Sequence, residues 1–181
     1  MLDLQTIIMI FLSIFLLIFS FLYFNSFINY IKYKVPQVST FGSDFQILKK
    51  NLWKYNLEWK KILDMWSWIG KVMRFLEKNF KAKVTGYEID LSNVIIAKIL
   101  NKIFNSKTKI IKWNYFDADL KKFDYIYIYL FPELMEKIEE KIWRDAKKGT
   151  IIFVNAFKFK KHQPIDIFYK NGREKILVYK V

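Results

Sequence analysis

Two acids, Asp64 and Glu88, stand 24 residues apart and each closes a short apolar run. An acid at the end of a buried strand presents its carboxylate at the sheet edge. Its two oxygens suit a pair of neighbouring hydroxyls such as a ribose offers. Glu88 is set for that task within Val84-Thr85-Gly86-Tyr87-Glu88-Ile89-Asp90, and Asp90 is placed to cap the helix that follows. Between the acids, Asp64-Met65-Trp66-Ser67-Trp68-Ile69-Gly70 leads from the first apolar run to a helix starting at Gly70. A loop in this place binds a cofactor by bringing backbone close to it, and glycine is the residue that permits this. With glycine at 66 and 68 the segment would read D-x-G-x-G-x-G; the chain has Trp66 and Trp68 instead, beside Ser67 and Gly70.

These residues need a parallel sheet to hold them, and the pattern supplies one. Phe45, Leu48, Leu52 and Tyr55 have helical spacing and predict a lead-in helix. Strands are predicted at 62–65, 84–89, 109–112, 125–130 and 150–157. The fourth is wholly apolar or aromatic, as a strand covered on both faces should be. Helices fall between: Val72, Phe75, Leu76 and Phe80 mark one. Ile95, Ile99 and Ile103 mark the next, with Ile96, Leu100 and Phe104 beside them. Leu134, Ile138 and Ile142 mark a third, opened by Pro132 with Glu133 in its first turn. Segments 165–169 and 175–179 flank Lys170-Asn171-Gly172, a hairpin turn signal.

Ahead of this domain, Ile7 to Phe24 is apolar except for Ser13 and Ser20, and the apolar character extends to Ile31. That is enough helix to cross about 30 Å of hydrocarbon. Asp3, the absence of Lys or Arg before the apolar run and the lack of a small-x-small site argue against a cleaved signal. Lys32, Lys34, Lys49 and Lys50 follow it, which places the domain in the cytoplasm by the positive-inside rule, with Tyr23, Tyr30 and Tyr33 near the interface. The expected division is an anchor with its flank over 1–34, a linker over 35–44 and a domain over 45–181.

The composition narrows the chemistry. There are no cysteines and one histidine among 181 residues, which excludes disulfides, a thiolate zinc site, a cysteine nucleophile and a multi-histidine metal site. The formal charge is +14, but the arginines are Arg74, Arg144 and Arg173 alone. Bidentate phosphate and base contacts favour arginine, so nucleic acid is a weaker expectation than an anionic membrane surface. Glycine is scarce: 5 residues, where ordinary usage of roughly 7% would give about 13. Tryptophan numbers 6.

Taken together, the loop, Gly86-Tyr87-Glu88 and the strand programme resemble the class I S-adenosylmethionine-dependent methyltransferases. Within them the chain is similar to the membrane-anchored lysine methyltransferases of the ATP synthase c-subunit type and their small bacterial relatives. That resemblance covers about 61–181 plus the anchor. It also rests on Phe131-Pro132-Glu133-Leu134-Met135 and on Asn155-Ala156-Phe157-Lys158-Phe159 leading to Pro164. It implies a Rossmann-like α/β sheet, mostly parallel with a C-terminal antiparallel hairpin, helices on both faces, and S-adenosylmethionine as cofactor. The resemblance gives Asp64 the methionine end of the cofactor, Glu88 the ribose, and Asn114 with Tyr115 the adenine. It sets Tyr129 and Pro132 at the edge where methyl and acceptor meet. No general base is assigned. Where the family's last motif carries prolines after each Phe and an aromatic before the final Pro, this chain has Lys158, Lys160 and His162, and His162 reads as a lone surface histidine.

Trp113 also stands where the family carries glycine, beside Asn114. A lineage that reads UGA as glycine, translated with a table that reads UGA as tryptophan, yields this substitution pattern together with the glycine deficit. The expected function is methyl transfer, with a lysine of a membrane-associated protein as acceptor. A catalytically inactive, membrane-tethered scaffold and a basic RNA-modifying or RNA-binding protein are the rivals. Trp66 and Trp68 as written favour the scaffold. Strong salt dependence of RNA binding would mark the other.

Overall fold

The computed structural model describes residues 3–33, 40 and 42–181, without the side chains of residues 30, 32, 33 and 115. Lys34 and most of the expected linker lie outside the described residues.

Helix α1 spans Leu4–Tyr33 and α2 spans Gly42–Asn51. Strand β1 (Lys61–Asp64) leads to α3 (Lys71–Phe80), and β2 (Lys83–Glu88) to α4 (Leu91–Ile103). Strand β3 (Lys109–Lys112) leads through two short 3-10 turns to β4 (Tyr125–Ile128), then α5 (Pro132–Asp145) and β5 (Ile151–Asn155). Strands β6 (Asp166–Lys170) and β7 (Arg173–Lys180) complete the chain. The seven strands form one sheet in the order β3-β2-β1-β4-β5-β7-β6. The first five are parallel, and β7 is antiparallel to both β5 and β6.

All five parallel strands, the hairpin and the helices fall where the pattern puts them, with ends shifted by one or two residues. The lead-in helix differs more: α2 starts at Gly42, inside the expected linker, and stops at Asn51 before Tyr55. Local chemistry explains the main boundaries. Asp90 accepts N–H bonds from Ser92 and Asn93 as the N-cap of α4. Pro132 occupies the first turn of α5, where its missing N–H costs nothing. Asn171 and Gly172 have φ of 50° and 75°, the left-handed pair that a two-residue hairpin turn demands.

Two apolar layers sandwich the sheet. One joins Leu48, Leu52, Val72, Met73 and Leu76 to Ile62, Val84, Tyr125, Phe153 and Ile176. The other joins Ile138 and Ile142 of α5 to Leu63, Ile126, Ile152 and Leu177. None of the described α1 side chains belongs to either layer. Helix α1 has a 26-residue stretch, Leu4–Asn29, long and apolar enough to cross a membrane.

The α4 face is the main departure from the sequence pattern. Its inward residues are Val94, Ala97 and Asn101, while Ile96, Ile99 and Ile103 point outward. Small side chains let α4 lie close to the sheet; the larger isoleucines are left on the outer surface.

Candidate active site

Strand order reverses at β1, because β2 pairs on one side of it and β4 on the other. The carboxyl ends of β1, β2 and β4 therefore border the crevice in which open α/β sheets bind ligands. Asp64 ends β1 and Glu88 ends β2. Both are buried, at 1% and 2% exposure.

The loop after β1 is pinned to its neighbours by backbone. Met65 N–H donates to the Tyr127 carbonyl at 3.1 Å, and Ser67 N–H to the Tyr87 carbonyl at 3.0 Å. Gly70 N–H donates to the Ser67 carbonyl at 2.7 Å, closing a tight turn before α3, and Gly70 itself has φ of 76°. Gly86 is what lets the loop approach β2. A Cβ there would lie 2.4 Å from Ser67 Cβ and 2.3 Å from Met73 Sδ.

The acids are held by that loop. Asp64 Oδ1 accepts from Trp66 N–H at 3.3 Å. Glu88 Oε2 accepts from Trp68 N–H at 2.9 Å, and Oε1 from Asp90 N–H at 2.9 Å. Desolvation raises both acids: burial pushes Asp64 up to about 7, with the nearby Glu88 charge adding to the shift. Burial likewise pushes Glu88 up to about 7, opposed by its bonds to Asp90 and Asn93.

Trp68 has φ of 46°, a left-handed conformation that glycine adopts freely and tryptophan does not. Its indole Nε1 is buried without a hydrogen-bond partner among the described residues. The Lys71 ammonium lies 5.3 Å from its ring centroid. Trp66 meets the Phe131 ring edge-on at 6.1 Å. The cavity that Asp64, Trp66, Trp68, Tyr127 and Tyr129 line has a volume of only about 20 Å³. A site for a molecule of cofactor size takes several hundred Å³, roughly 300–1,000. The acids and backbone thus fit S-adenosylmethionine, while the two indoles crowd the space beside Asp64 at its methionine end.

Asn114 reaches the same edge beyond β3, where Trp113 N–H donates to the Glu88 carbonyl at 3.0 Å. Its Oδ1 accepts from Phe116 N–H at 3.0 Å. The Tyr115 side chain lies outside the described residues. Tyr129 is half-buried beneath the Lys175 ammonium, 5.5 Å from its ring. Pro132 is exposed and outside the residues that line the cavity.

Two further polar groups at this edge were given no role by the sequence reading, which named Asn155 only within a motif. The Tyr127 hydroxyl is buried between Asn155 Nδ2 at 3.0 Å and Thr40 Oγ1 at 3.4 Å. Asn155 Oδ1 is buried and has no partner among the described residues. Tyr127 sits in an apolar run and reads as core; only Asn155, a polar residue closing a strand, carried a signal.

His162 is not a lone surface histidine. Its ring stacks on Trp143 at 3.6 Å between centroids, and Nδ1 lies 2.8 Å from Glu139 Oε1. Glu139, buried on α5, also accepts the N–H groups of Lys160, Lys161 and His162. A glutamate within a helix of alternating charges looks solvated in sequence, so the partner was invisible.

Comparison with known proteins agrees with this geometry. A family described as the ANTKMT methyltransferase domain matches residues 64–166. Among curated proteins, none matches the sequence. The solved structures include an RNA methyltransferase from Salinibacter ruber in complex with S-adenosyl-L-homocysteine, 18% identical, with a TM-score of 0.72 over 79% of this chain and 93% of that one. A candidate methylase from Haemophilus influenzae is 16% identical, with a TM-score of 0.57 over 76% and 96%. A candidate S-adenosyl-L-methionine-dependent methyltransferase from Methanococcus maripaludis is 15% identical, with a TM-score of 0.55 over 64% and 56%. At these identities the likeness shows the fold alone.

Proposed function

Because the chain belongs to the ANTKMT methyltransferase domain family, a family of S-adenosylmethionine-dependent class I methyltransferases, we propose that it is a membrane-anchored enzyme methylating a lysine of a membrane-associated protein. The observation that carries this reading is the place where α1 meets the domain. Asn25 and Asn29 donate to the Asp90 carboxylate at 3.4 Å, and Ser92 Oγ donates to the Leu22 carbonyl at 2.9 Å. Asp90 is also two residues from Glu88. The apolar helix therefore ends against the cofactor edge, which in a membrane-anchored chain holds that edge near the bilayer; the lysines beyond the apolar run favour the cytoplasmic side.

S-adenosylmethionine supplies a methyl group on a sulfonium that leaves without protonation. This chain's residues are then required to bind and orient, and positioning carries most of the rate. Asp64, Glu88 and Asn114 would hold the donor. An acceptor lysine must arrive neutral, which a desolvated edge favours by lowering its pKa.

Membranes containing the chain, with glycine restored at 66, 68 and 113, are incubated with methyl-labelled cofactor, and labelled proteins are mapped by mass spectrometry. Methyl-lysine on an integral or peripheral membrane protein is the expected result. Label confined to RNA, or to soluble proteins, would overturn the acceptor assignment.

Trp68 supports a second reading for the chain as written. Its left-handed backbone, buried indole and occupied N–H describe a closed loop, as a tethered scaffold without cofactor would have. Finding glycine at 66 and 68 in peptides of the native protein rejects the scaffold; finding tryptophan there supports it.

A further inference from the structure

We propose that the outer face of α4 lies on the bilayer, with its isoleucines among the lipid chains and its lysines at anionic headgroups. The inference rests on α1 being a membrane anchor and goes beyond it, since an anchor that brings the cofactor edge near the bilayer does not by itself seat α4 in the lipid.

The first observation is the face itself. Ile96, Ile99 and Ile103, at i, i+3 and i+7, are 41, 54 and 67% exposed, and Phe104 at the helix end is 65% exposed. A helix on a soluble surface turns such residues inward; α4 instead packs Val94, Ala97 and Asn101 on the sheet. The second is charge. Lys98 and Lys102 lie exposed beside the isoleucines on the same helix. An apolar stripe edged by lysine is the pattern of a helix seated in a membrane interface.

The third is continuity with α1. Leu22, Asn25, Ser26 and Asn29 are its half-buried positions at the domain end, with the spacing of one helix face. Asp90 meets Asn25 and Asn29, whereas Ser92 meets Leu22 and Ser26. Advancing from the cap into α4 thus steps back along α1 toward its apolar body. The isoleucine stripe continues in that direction. Lipid that surrounds α1 is therefore adjacent to the face of α4 that nothing else in the described chain covers.

The chain has no cysteine, so single labels are clean. The full chain is reconstituted in vesicles of phosphatidylcholine and phosphatidylglycerol. Nitroxides are attached singly at Ile99→Cys, Ile103→Cys, Ser13→Cys in α1 and Lys137→Cys on the exposed side of α5. Collision rates with oxygen and with a water-soluble nickel reagent are then compared. The expected result is a several-fold higher oxygen-to-nickel ratio at 99 and 103 than at 137, approaching that at 13. Exchanging Lys98 and Lys102 for Gln should lessen that ratio in the anionic vesicles. A membrane-like value at 13 with water-like values at 99 and 103 refutes the proposal while leaving the anchor intact. A water-like value at 13 refutes both. Spin–spin broadening at 99 that disappears on dilution with unlabelled chain shows a second copy on this face and also refutes it.

Discussion

Trp68 shows how one residue sets the state of the site. Tryptophan at φ of 46° carries strain of about 1–3 kcal/mol that glycine avoids. Its side chain also occupies space beside Asp64. The chain as written should bind S-adenosylmethionine weakly or not at all, and Trp66→Gly with Trp68→Gly should restore binding, improved further by Trp113→Gly. Calorimetry measures this; tight binding by the unmodified chain refutes the steric argument. Trp59 adds independent weight: it too is left-handed, at φ of 61°, and 63% exposed. Trp59→Gly should therefore stabilise the fold, read as a higher denaturant midpoint.

Glu88 can be tested in the glycine-loop form. Glu88→Ala removes two charge-assisted acceptors, each worth about 1.5–3 kcal/mol. Cofactor affinity should fall tenfold or more, and an unchanged Kd would mean that the ribose acid is misassigned. Its protonation gives a pH signature. Asp64 and Glu88 titrate near 7 in the fold and near 4 when unfolded. The native state therefore binds these protons more tightly. The stability they confer is complete below about pH 4 and is lost as pH rises toward 7 and just beyond. Between pH 5 and 8 the melting temperature of the full chain should fall, and Asp64→Asn should flatten that slope. Ribose binding needs ionised Glu88, so affinity should move the other way and rise with pH across this range.

At the scale of elements, Glu139 fastens the segment after β5 to α5. It is fully buried and satisfied by three backbone N–H groups and the His162 ring. Glu139→Gln keeps the shape, but its amide offers N–H where the carboxylate accepted. A loss of about 1.5–3 kcal/mol is expected, with faster amide exchange confined to 160–162. Unchanged exchange there would show that the carboxylate is not what holds the segment. The Lys160 N–H that Glu139 accepts is one that a proline at this position could not offer.

For the whole molecule, α1 is separable from the core. Neither apolar layer contains a described α1 side chain, and the stretch Leu4–Asn29 rises about 39 Å at roughly 1.5 Å per residue. The full chain should resist alkaline extraction from membranes, and deletion of residues 1–34 should release a folded domain. Recovery of the full chain in the soluble fraction, or a mature N-terminus beyond residue 24, would sink the anchor.

The sequence by itself determined the sheet, the order of its acids and the loop between them, because these depend on local periodicity and on residues near one another in the chain. Buried β4, the capping Asp90, the Asn171-Gly172 turn and the missing glycines were all legible there. Tertiary structure decided what sits across from what. Apolar spacing in α4 marked a face but not which way it turned, since the small residues Val94 and Ala97 fit the sheet more closely than the isoleucines. Glu139 met His162, and Asp90 met Asn25 and Asn29, over 23 and more than 60 residues of chain. Hydrogen bonds of that reach leave no period in a sequence, because their geometry exists only once the sheet has brought the partners together.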